Sequence, residues 1–315
     1  MVISLFESLS WFETEMFGRL VILFSVLTFL LLAFATAIGY ALGFDTTSIT
    51  GLVIFALVAS ALINVATYVW SDKIVLWSTH TKLITEQDNP QLFSIVRNVA
   101  ARANIPMPRV GIVESQQPNA FATGKGPDKA IVVATTGILR VLTPSELEAV
   151  IGHEISHVTH RDVLVASVAA AIAGTISFLG QIIFFNSFYF GGSRGRNNNG
   201  NAGILLIIAA VLIPIGAMLV QLGISRSRES YADAEGARLT QKPQELINAL
   251  RKISSQATAR QWNQKNAPAP STASLWIVNP LKGSSWTELF STHPPLEKRV
   301  RNITKVAQEM GIMVY

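Results

Sequence analysis

The chain has 315 residues, of which half are hydrophobic and only 14% carry a charge. A soluble globular protein of this length is rarely so apolar, so the composition predicts a membrane protein with an additional polar domain. The net charge is +5, but the basic residues are scattered and lack a DNA-reading motif, so no nucleic-acid partner is expected. Cysteine is absent, which excludes disulfides, thiolate metal sites and a cysteine nucleophile.

The first 70 residues are predicted to contain two membrane spans. After an N-terminal segment of residues 1–19, residues 20–42 are apolar for long enough, at about 1.5 Å per residue, to cross roughly 30 Å of hydrocarbon. A cleavable signal peptide is the alternative, but three glutamates against one arginine precede this stretch, which favours a retained anchor. A second apolar stretch covers residues 49–70, so residues 20–70 predict a transmembrane hairpin.

Two further apolar stretches lie within residues 163–224, and each could span the membrane or form a buried core helix. The remaining chain forms two polar segments, residues 71–162 and 225–315. Basic residues are enriched where the polar segments meet the apolar stretches, which favours a multi-pass protein with its polar segments in the cytoplasm. Aromatic residues near residue 70 are also typical of a membrane interface.

The polar segments are predicted to combine helices with a small sheet. Hydrophobic periodicity and turn residues predict helices over residues 89–103, 229–239, 244–254 and 295–310, and strands over residues 109–114 and 130–135. A further helix is the most secure, because Thr143, Pro144 and Glu146 match a capping box with proline at the first helical position. It is expected to continue at least to His160.

This capped helix carries the motif His153-Glu154-Ile155-Ser156-His157. Residues four apart share one face of a helix, so the two imidazoles can bind one metal ion. Glu154 lies beside them and could act as the general base and acid of a metalloprotease. The alternative is a pair of surface histidines, but the apolar residues flanking the motif predict that this helix is buried.

A catalytic zinc ion usually has a third protein ligand. His160 shares the histidine face but is seven residues from His153, about 10 Å along the helix, too far for both to bind one ion. Glu229 is the better candidate, and Asp233 on the same helical face could orient a ligand histidine. The alternative is a pair of solvated carboxylates on a surface helix.

Four motifs in this order resemble those of the HtpX family of membrane-bound zinc metalloproteases. They are NAFATG at residues 119–124, HEISH at 153–157, ESYAD at 229–233 and THPPLEKR at 292–299. Together with the apolar stretches, the resemblance covers nearly the whole chain. The chain is also similar, more distantly, to the CAAX prenyl proteases.

The resemblance implies one zinc ion per chain, bound by His153, His157 and Glu229, with Glu154 catalytic. It implies a predominantly helical α+β protein: a multi-span helical membrane anchor with a zincin-like (gluzincin) catalytic domain. It further implies cleavage of unfolded or damaged membrane proteins in a prokaryotic plasma membrane, with the catalytic domain facing the cytoplasm. Membrane lipids would be its other partners; the oligomeric state is not predicted.

Two further groups of residues have two interpretations each. Similarity to related enzymes suggests that His293 donates a hydrogen bond to the oxyanion of the tetrahedral intermediate. Its alternative role is structural, as the residue before the two prolines that set the turn into the last helix. Asn119, Ala120 and Phe121 could form an edge strand that pairs with an extended substrate, or an ordinary strand beside a turn.

Two alternative functions are also considered for the whole chain. The first is a CAAX-type processing peptidase that trims a lipidated tail, for which four spans make a sealed chamber hard to build. The second is a membrane receptor or scaffold with a structural metal ion. The second alternative predicts that replacing Glu154 leaves function unchanged.

Overall fold

The computed structural model describes residues 2–41, 43–173, 176, 226–259 and 294–315. The chain divides into two compact units: the first comprises Met1–Ser71 and Val168–Leu222, and the second comprises Asp72–Ser167 and Gly223–Tyr315. The fourth predicted apolar stretch and about half of the third lie outside the described residues.

Two long helices, α1 (Val2–Ala41) and α2 (Thr46–Ser78), occupy the N-terminal part of the chain. By length and composition, Met16–Ala37 within α1 and the whole of α2 are long and apolar enough to cross a membrane. The Asn64 side-chain amide donates a 3.0 Å hydrogen bond to the Thr28 hydroxyl, which joins the two helices. Most of the large apolar side chains that are exposed in the described part of the chain lie on these helices.

Both helices are longer than the apolar segments predicted to span a membrane. The first helix is followed by Gly43, which has a φ of +73°. There the Phe44 N–H donates to the Gly39 carbonyl and the Gly43 N–H donates to the Tyr40 carbonyl. This pair of hydrogen bonds is a Schellman motif, which ends a helix with a residue in the left-handed conformation that glycine adopts most readily.

The second unit contains a four-stranded mixed sheet with the order β1-β2-β4-β3. Its strands are β1 (Lys82–Leu83), β2 (Arg109–Val113), β3 (Ala120–Thr123) and β4 (Ile131–Thr135). Strands β2 and β4 pair in parallel, whereas β1 and β3 are antiparallel to their neighbours. The sequence predicted β2 and β4 to within one residue. It did not predict β1, which is two exposed residues long and too short to show an alternating pattern.

The remaining helices confirm the predominantly helical α+β class. They are α3 (Pro90–Arg102), α4 (Thr136–Val141), α5 (Pro144–Thr159), α6 (Asp162–Ala173), α7 (Arg226–Thr240), α8 (Pro243–Ala259) and α9 (Leu296–Glu309). The sequence did not predict α4, because six residues are too few to show a helical period. It also extended α5 to His160, which is the C-cap residue.

A large apolar core holds the sheet against α3, α5, α8 and α9. Its fully buried members include Val99, Val132, Ile151, Ile155, Leu246, Leu250 and Ile303. Because α5 contributes to this core along most of its length, its position is determined by apolar packing on several sides. The histidines of α5 are thereby held in a fixed orientation inside the second unit.

Candidate metal centre

Helix α5 begins at the predicted capping box. The Thr143 hydroxyl accepts the Glu146 N–H at 3.3 Å, and the Glu146 carboxylate accepts the Thr143 N–H at 2.8 Å. The second half of the helix carries His153 and His157, whose ring centroids lie 5.0 Å apart and whose ring planes are perpendicular. Both imidazoles therefore project from one face of a helix whose start is set by local hydrogen bonds.

A contact between two glycines lets α7 approach α5 closely. A methyl group added at Gly152 would lie 2.4 Å from Thr240 Cγ2, and one added at Gly236 would lie 2.7 Å from the main-chain nitrogen of His153. Neither position has room for a side chain, since real Cβ contacts this short do not occur. Glu229 is two helical turns before Gly236 on α7, and the close approach of the helices brings its carboxylate to the histidines.

The side chains of His153, His157 and Glu229 converge. Glu229 Oε2 lies 3.5 Å from His153 Nε2, and Glu229 Oε1 lies 3.3 Å from His157 Nε2. The candidate ligand atoms of the three residues all lie within 4.8 Å of one another. Ligands about 2.1 Å from a tetrahedral zinc ion are about 3.4 Å apart. The spacing of these donor atoms therefore fits a single metal ion of that size.

The other ring nitrogen of each histidine faces an aspartate. His153 Nδ1 lies 3.1 Å from Asp233 Oδ1, and His157 Nδ1 lies 3.3 Å from Asp162 Oδ2. Histidines that bind a metal through one nitrogen usually donate the other N–H to a carboxylate or carbonyl, which fixes the ring. The arrangement leaves both Nε2 atoms directed at Glu229. Asp233 was predicted from its spacing to Glu229, whereas Asp162 was not predicted.

Each aspartate also forms an ion pair with an arginine. Arg299 Nη2 and Nε donate to the two carboxylate oxygens of Asp233 at 2.6 and 2.9 Å, and Arg228 pairs with Asp162. Neither arginine was predicted to belong to the site. Arg299 ends the motif THPPLEKR that carried part of the family resemblance, but nothing in the sequence pairs it with a carboxylate 66 residues away.

The electrostatic environment of the cluster favours positive charge. Burial alone would lower the pKa of His153, but Asp233 and Glu229 raise it above the ordinary value. Burial would likewise lower the pKa of His157, and Glu229 raises it. Burial would raise the pKa of Asp233, but the Arg299 guanidinium lowers it overall. The carboxylates thus create a negative potential at the point where a cation would bind.

Glu154 is on α5, and its side chain contacts the strand β3. It is buried, and its Oε2 accepts the main-chain N–H of Ala122 at 3.1 Å. Strand β3 is at one end of the described sheet, pairing with β4. An edge-strand amide therefore helps to orient the carboxylate next to the two histidines.

The residues proposed to bind substrate belong to this strand or precede it. Ala120 and Phe121 are the first two residues of β3. At the end of β4, the Thr135 N–H donates to the Asn119 carbonyl, and the Asn119 N–H donates to the Thr135 hydroxyl. All four residues of β3 and Asn119 are buried. His293, the other residue given two interpretations, lies outside the described residues.

His160 is placed apart from the cluster, as its distance along the helix predicted. His160 is the C-cap of α5, and its Nδ1 lies 2.8 Å from the Ser156 carbonyl oxygen. Its ring makes an edge contact with Tyr231, with centroids 4.9 Å apart. His160 thus joins the end of α5 to α7 without taking part in the group of candidate ligands.

Comparison with known proteins gives consistent matches over most of the chain. Residues 86–307 match the model of Peptidase family M48. A "Protease HtpX homolog" of Syntrophobacter fumaroxidans is 42% identical over 286 residues, covering 90% of this chain and 97% of that protein. Homologs with the same name from Thermococcus kodakarensis and Pyrococcus furiosus are 46% and 43% identical, covering 80% and 91% of this chain and 86% and 98% of theirs. Among solved structures, that of S. mikatae Ste24p matches with a TM-score of 0.45 and 16% identity, covering 87% of this chain and 62% of that one.

Proposed function

Because this chain belongs to peptidase family M48 and is a membrane metalloprotease, we propose that it is a zinc-dependent endopeptidase with one zinc ion per chain. The ligands would be His153, His157 and Glu229. The observation that carries this proposal is the convergence of two Nε2 atoms and one carboxylate beside the buried carboxylate of Glu154. Two neutral imidazoles and one carboxylate are a ligand set found in catalytic zinc sites, which leave one coordination position open.

The donor atoms suit zinc more than calcium or magnesium, which prefer oxygen ligands. When bound, zinc supplies Lewis-acid chemistry, in which it polarises a carbonyl and lowers the pKa of water. The chain's own residues then determine the ligand orientation. Asp233 and Asp162 lie 3.1 and 3.3 Å from the Nδ1 atoms of His153 and His157. There they would accept the Nδ1–H and keep each Nε2 unprotonated and available.

Glu154 is the proposed general base and acid. Its carboxylate would take a proton from the attacking water and later donate it to the leaving amine. The hydrogen bond from the Ala122 N–H supports this role, because it orients the Glu154 carboxylate beside the two histidines. Substitution of a positioned general base typically costs about 10²–10⁴-fold in rate.

Strand β3 is the proposed site for the substrate main chain. An extended peptide would pair with the outer edge of Asn119, Ala120 and Phe121, next to the carboxylate of Glu154. Since these residues are buried, pairing requires that their outer edge become uncovered. His293 is proposed as a hydrogen-bond donor to the oxyanion. Its alternative role is structural, in the turn that leads into the last helix.

The proposed substrates are unfolded or damaged membrane proteins, cleaved at a prokaryotic plasma membrane. Two helices able to cross a membrane by length and composition support a multi-pass anchor. The basic residues beside the apolar stretches support a cytoplasmic catalytic domain in contact with membrane lipids. Curated relatives named as HtpX homologs favour this activity over CAAX processing.

The test compares purified full-length wild type with Glu154→Gln in detergent. Both are treated with a chelator and resupplied with zinc, and bound zinc and casein cleavage are measured. We expect about one zinc per chain in both proteins, with cleavage in the variant reduced about 10²–10⁴-fold. Glu148→Gln is the matched control, because Glu148 is on the same helix but pairs with Arg102 and Lys242; it should cleave casein like wild type.

Three outcomes would contradict the proposal. Wild type that binds no zinc under these conditions would exclude a zinc peptidase. Equal cleavage by wild type and Glu154→Gln would exclude the assigned base and favour a receptor or scaffold with a structural metal. Cleavage of prenylated peptides but not of casein would instead favour the CAAX-type alternative.

A further inference from the structure

Two buried or partly buried ion pairs lie at the Nδ1 side of the histidines, opposite the Nε2 atoms that face Glu229. Asp233 pairs with Arg299 behind His153, and Asp162 pairs with Arg228 behind His157. We propose that Asp162 and Arg228 are positioning residues that hold His157 and the start of α7 in metal-binding geometry. This inference rests on the proposed zinc function and extends it to residues outside the two ligand motifs.

The carboxylate of Asp162 uses both oxygens. Oδ2 lies 3.3 Å from His157 Nδ1, and Oδ1 contacts the guanidinium of Arg228. Asp162 is the first residue of α6, just after α5 ends, whereas Arg228 is in the first turn of α7. One carboxylate therefore connects the end of the histidine helix to the beginning of the Glu229 helix.

Arg228 immediately precedes Glu229 in the chain. Anchoring Arg228 against Asp162 limits how the first turn of α7 can move relative to His157. This restriction helps to maintain the 3.3 Å separation between His157 Nε2 and Glu229 Oε1. Further along α7, the contact between Gly152 and Gly236 fixes the separation of the helices. The ion pair and the glycine contact thus secure α7 at two points along its length.

The charges around the cluster also favour a divalent cation. Among the described residues, four carboxylates at the cluster belong to Glu154, Glu229, Asp233 and Asp162, and two guanidinium groups belong to Arg299 and Arg228. With neutral histidines, two negative charges remain in excess. The two arginines therefore compensate the two aspartates and leave the charge of the two glutamates for the metal ion. Loss of either arginine alters this balance as well as the geometry.

The experiment measures zinc affinity of the full-length protein in detergent by competition with a chromophoric chelator. The variants are Asp162→Ala, Asp162→Asn, Arg228→Gln and Arg228→Lys. We expect Asp162→Ala and Arg228→Gln to weaken zinc binding by about 10–100-fold, the usual effect of removing a group that orients a metal ligand. Asp162→Asn and Arg228→Lys keep a hydrogen-bonding group at the same place and should recover part of the affinity.

Arg238→Gln is the matched control. Arg238 is also on α7 and donates a 2.6 Å hydrogen bond to Glu309, but this ion pair is exposed and away from the histidines. Its removal should leave zinc affinity unchanged. Visible absorption of the cobalt-substituted proteins supplies a second readout, because a displaced His157 changes the ligand field whereas a general loss of stability does not.

The possible results separate this inference from the proposed function. If wild type binds no zinc, the proposed function fails. If wild type binds zinc and Asp162→Ala and Arg228→Gln bind it as tightly, with unchanged cobalt spectra, only the inference is overturned. Should Asp162→Ala fail to fold, Arg228→Gln and Arg228→Lys decide the question, and equal weakening by the control Arg238→Gln would also overturn the inference.

Discussion

The two sides of the candidate metal centre each place a histidine, an aspartate and an arginine in a row, but the two rows differ in burial. On the inner side, the side chains of His153, Asp233 and Arg299 are 3%, 0% and 3% exposed. On the outer side, the three corresponding side chains, His157, Asp162 and Arg228, are 15%, 14% and 11% exposed.

This difference in burial determines what each ion pair contributes. Removing one partner of a fully buried pair leaves an unpaired charge that water cannot reach, which is strongly destabilising. A partly exposed carboxylate can be hydrated when its partner is lost, so the cost in stability is smaller. The inner pair should therefore matter most for folding, and the outer pair should matter mainly for the orientation of a ligand.

The largest expected effect is on the inner pair. Arg299→Met would leave the Asp233 carboxylate buried without its counter-charge, and we expect a loss of about 3–5 kcal/mol in the free energy of unfolding. In a domain of this size, that loss corresponds to roughly 10 °C in apparent Tm. Thermal unfolding of the metal-free protein in detergent measures it. Arg228→Met is the paired comparison, and an equal or larger drop for Arg228→Met would refute the proposed difference between the two sides.

A smaller effect is expected at the helix contact on the inner side. Gly236→Ala would place a methyl group 2.7 Å from the main-chain nitrogen of His153. The helices must then separate, which typically costs about 1–3 kcal/mol and moves Glu229 away from the histidines. We expect a lower Tm together with weaker zinc binding. Gly51→Ala is a suitable control, because an added methyl group there meets no atom within 4 Å. Unchanged zinc affinity in Gly236→Ala would show that the contact between the helices does not position the proposed ligands.

The smallest effect extends the comparison to a more exposed pair at the start of α5. Burial would raise the pKa of Glu146, but Lys252 and the capping hydrogen bonds from Thr143 lower it overall. Because the pKa is lower in the folded state, the stabilisation is present above the ordinary value of 4.5 and is lost as the pH falls through the folded value. Lys252 is 42% exposed, so the pair should contribute under about 1 kcal/mol.

Thermal unfolding of wild type and Lys252→Gln as a function of pH tests this expectation. At neutral pH the variant should unfold roughly 2 °C below wild type, and the difference should shrink as Glu146 is protonated below pH 4.5. A difference that stays constant under acidic conditions would mean that Lys252 acts by packing and not through its charge.

The elements that the sequence predicted well are those governed by local interactions. The capping box at Thr143 and Glu146 and the helical turn from His153 to His157 involve groups at most four residues apart. A helix and its histidine face therefore follow directly from the sequence. Apolar periodicity located α3, β2 and β4 to within one or two residues for the same reason. The short elements β1 and α4 were missed because a few residues carry no measurable period.

The candidate site was predicted in part. His153, Glu154 and His157 were identified from one helix, and Glu229 and Asp233 were chosen because their spacing and the family resemblance favoured them. Asp162, Arg228 and Arg299 were missed, although all three contact carboxylates or histidines of the site. Charged residues near helix ends are usually solvated, and no local pattern distinguishes one that is buried in an ion pair.

The sequence by itself determined the membrane-protein composition, the capped helix and the pair of histidines on one face, because hydrophobicity and helical geometry act over short stretches of chain. Only the tertiary structure decided which carboxylates face Nε2 and which face Nδ1, and how deeply each arginine is buried. Those properties depend on the close approach of α5 and α7 at Gly152 and Gly236. Contacts between residues so far apart in the chain, and the loss of hydration that accompanies them, arise only when the helices pack.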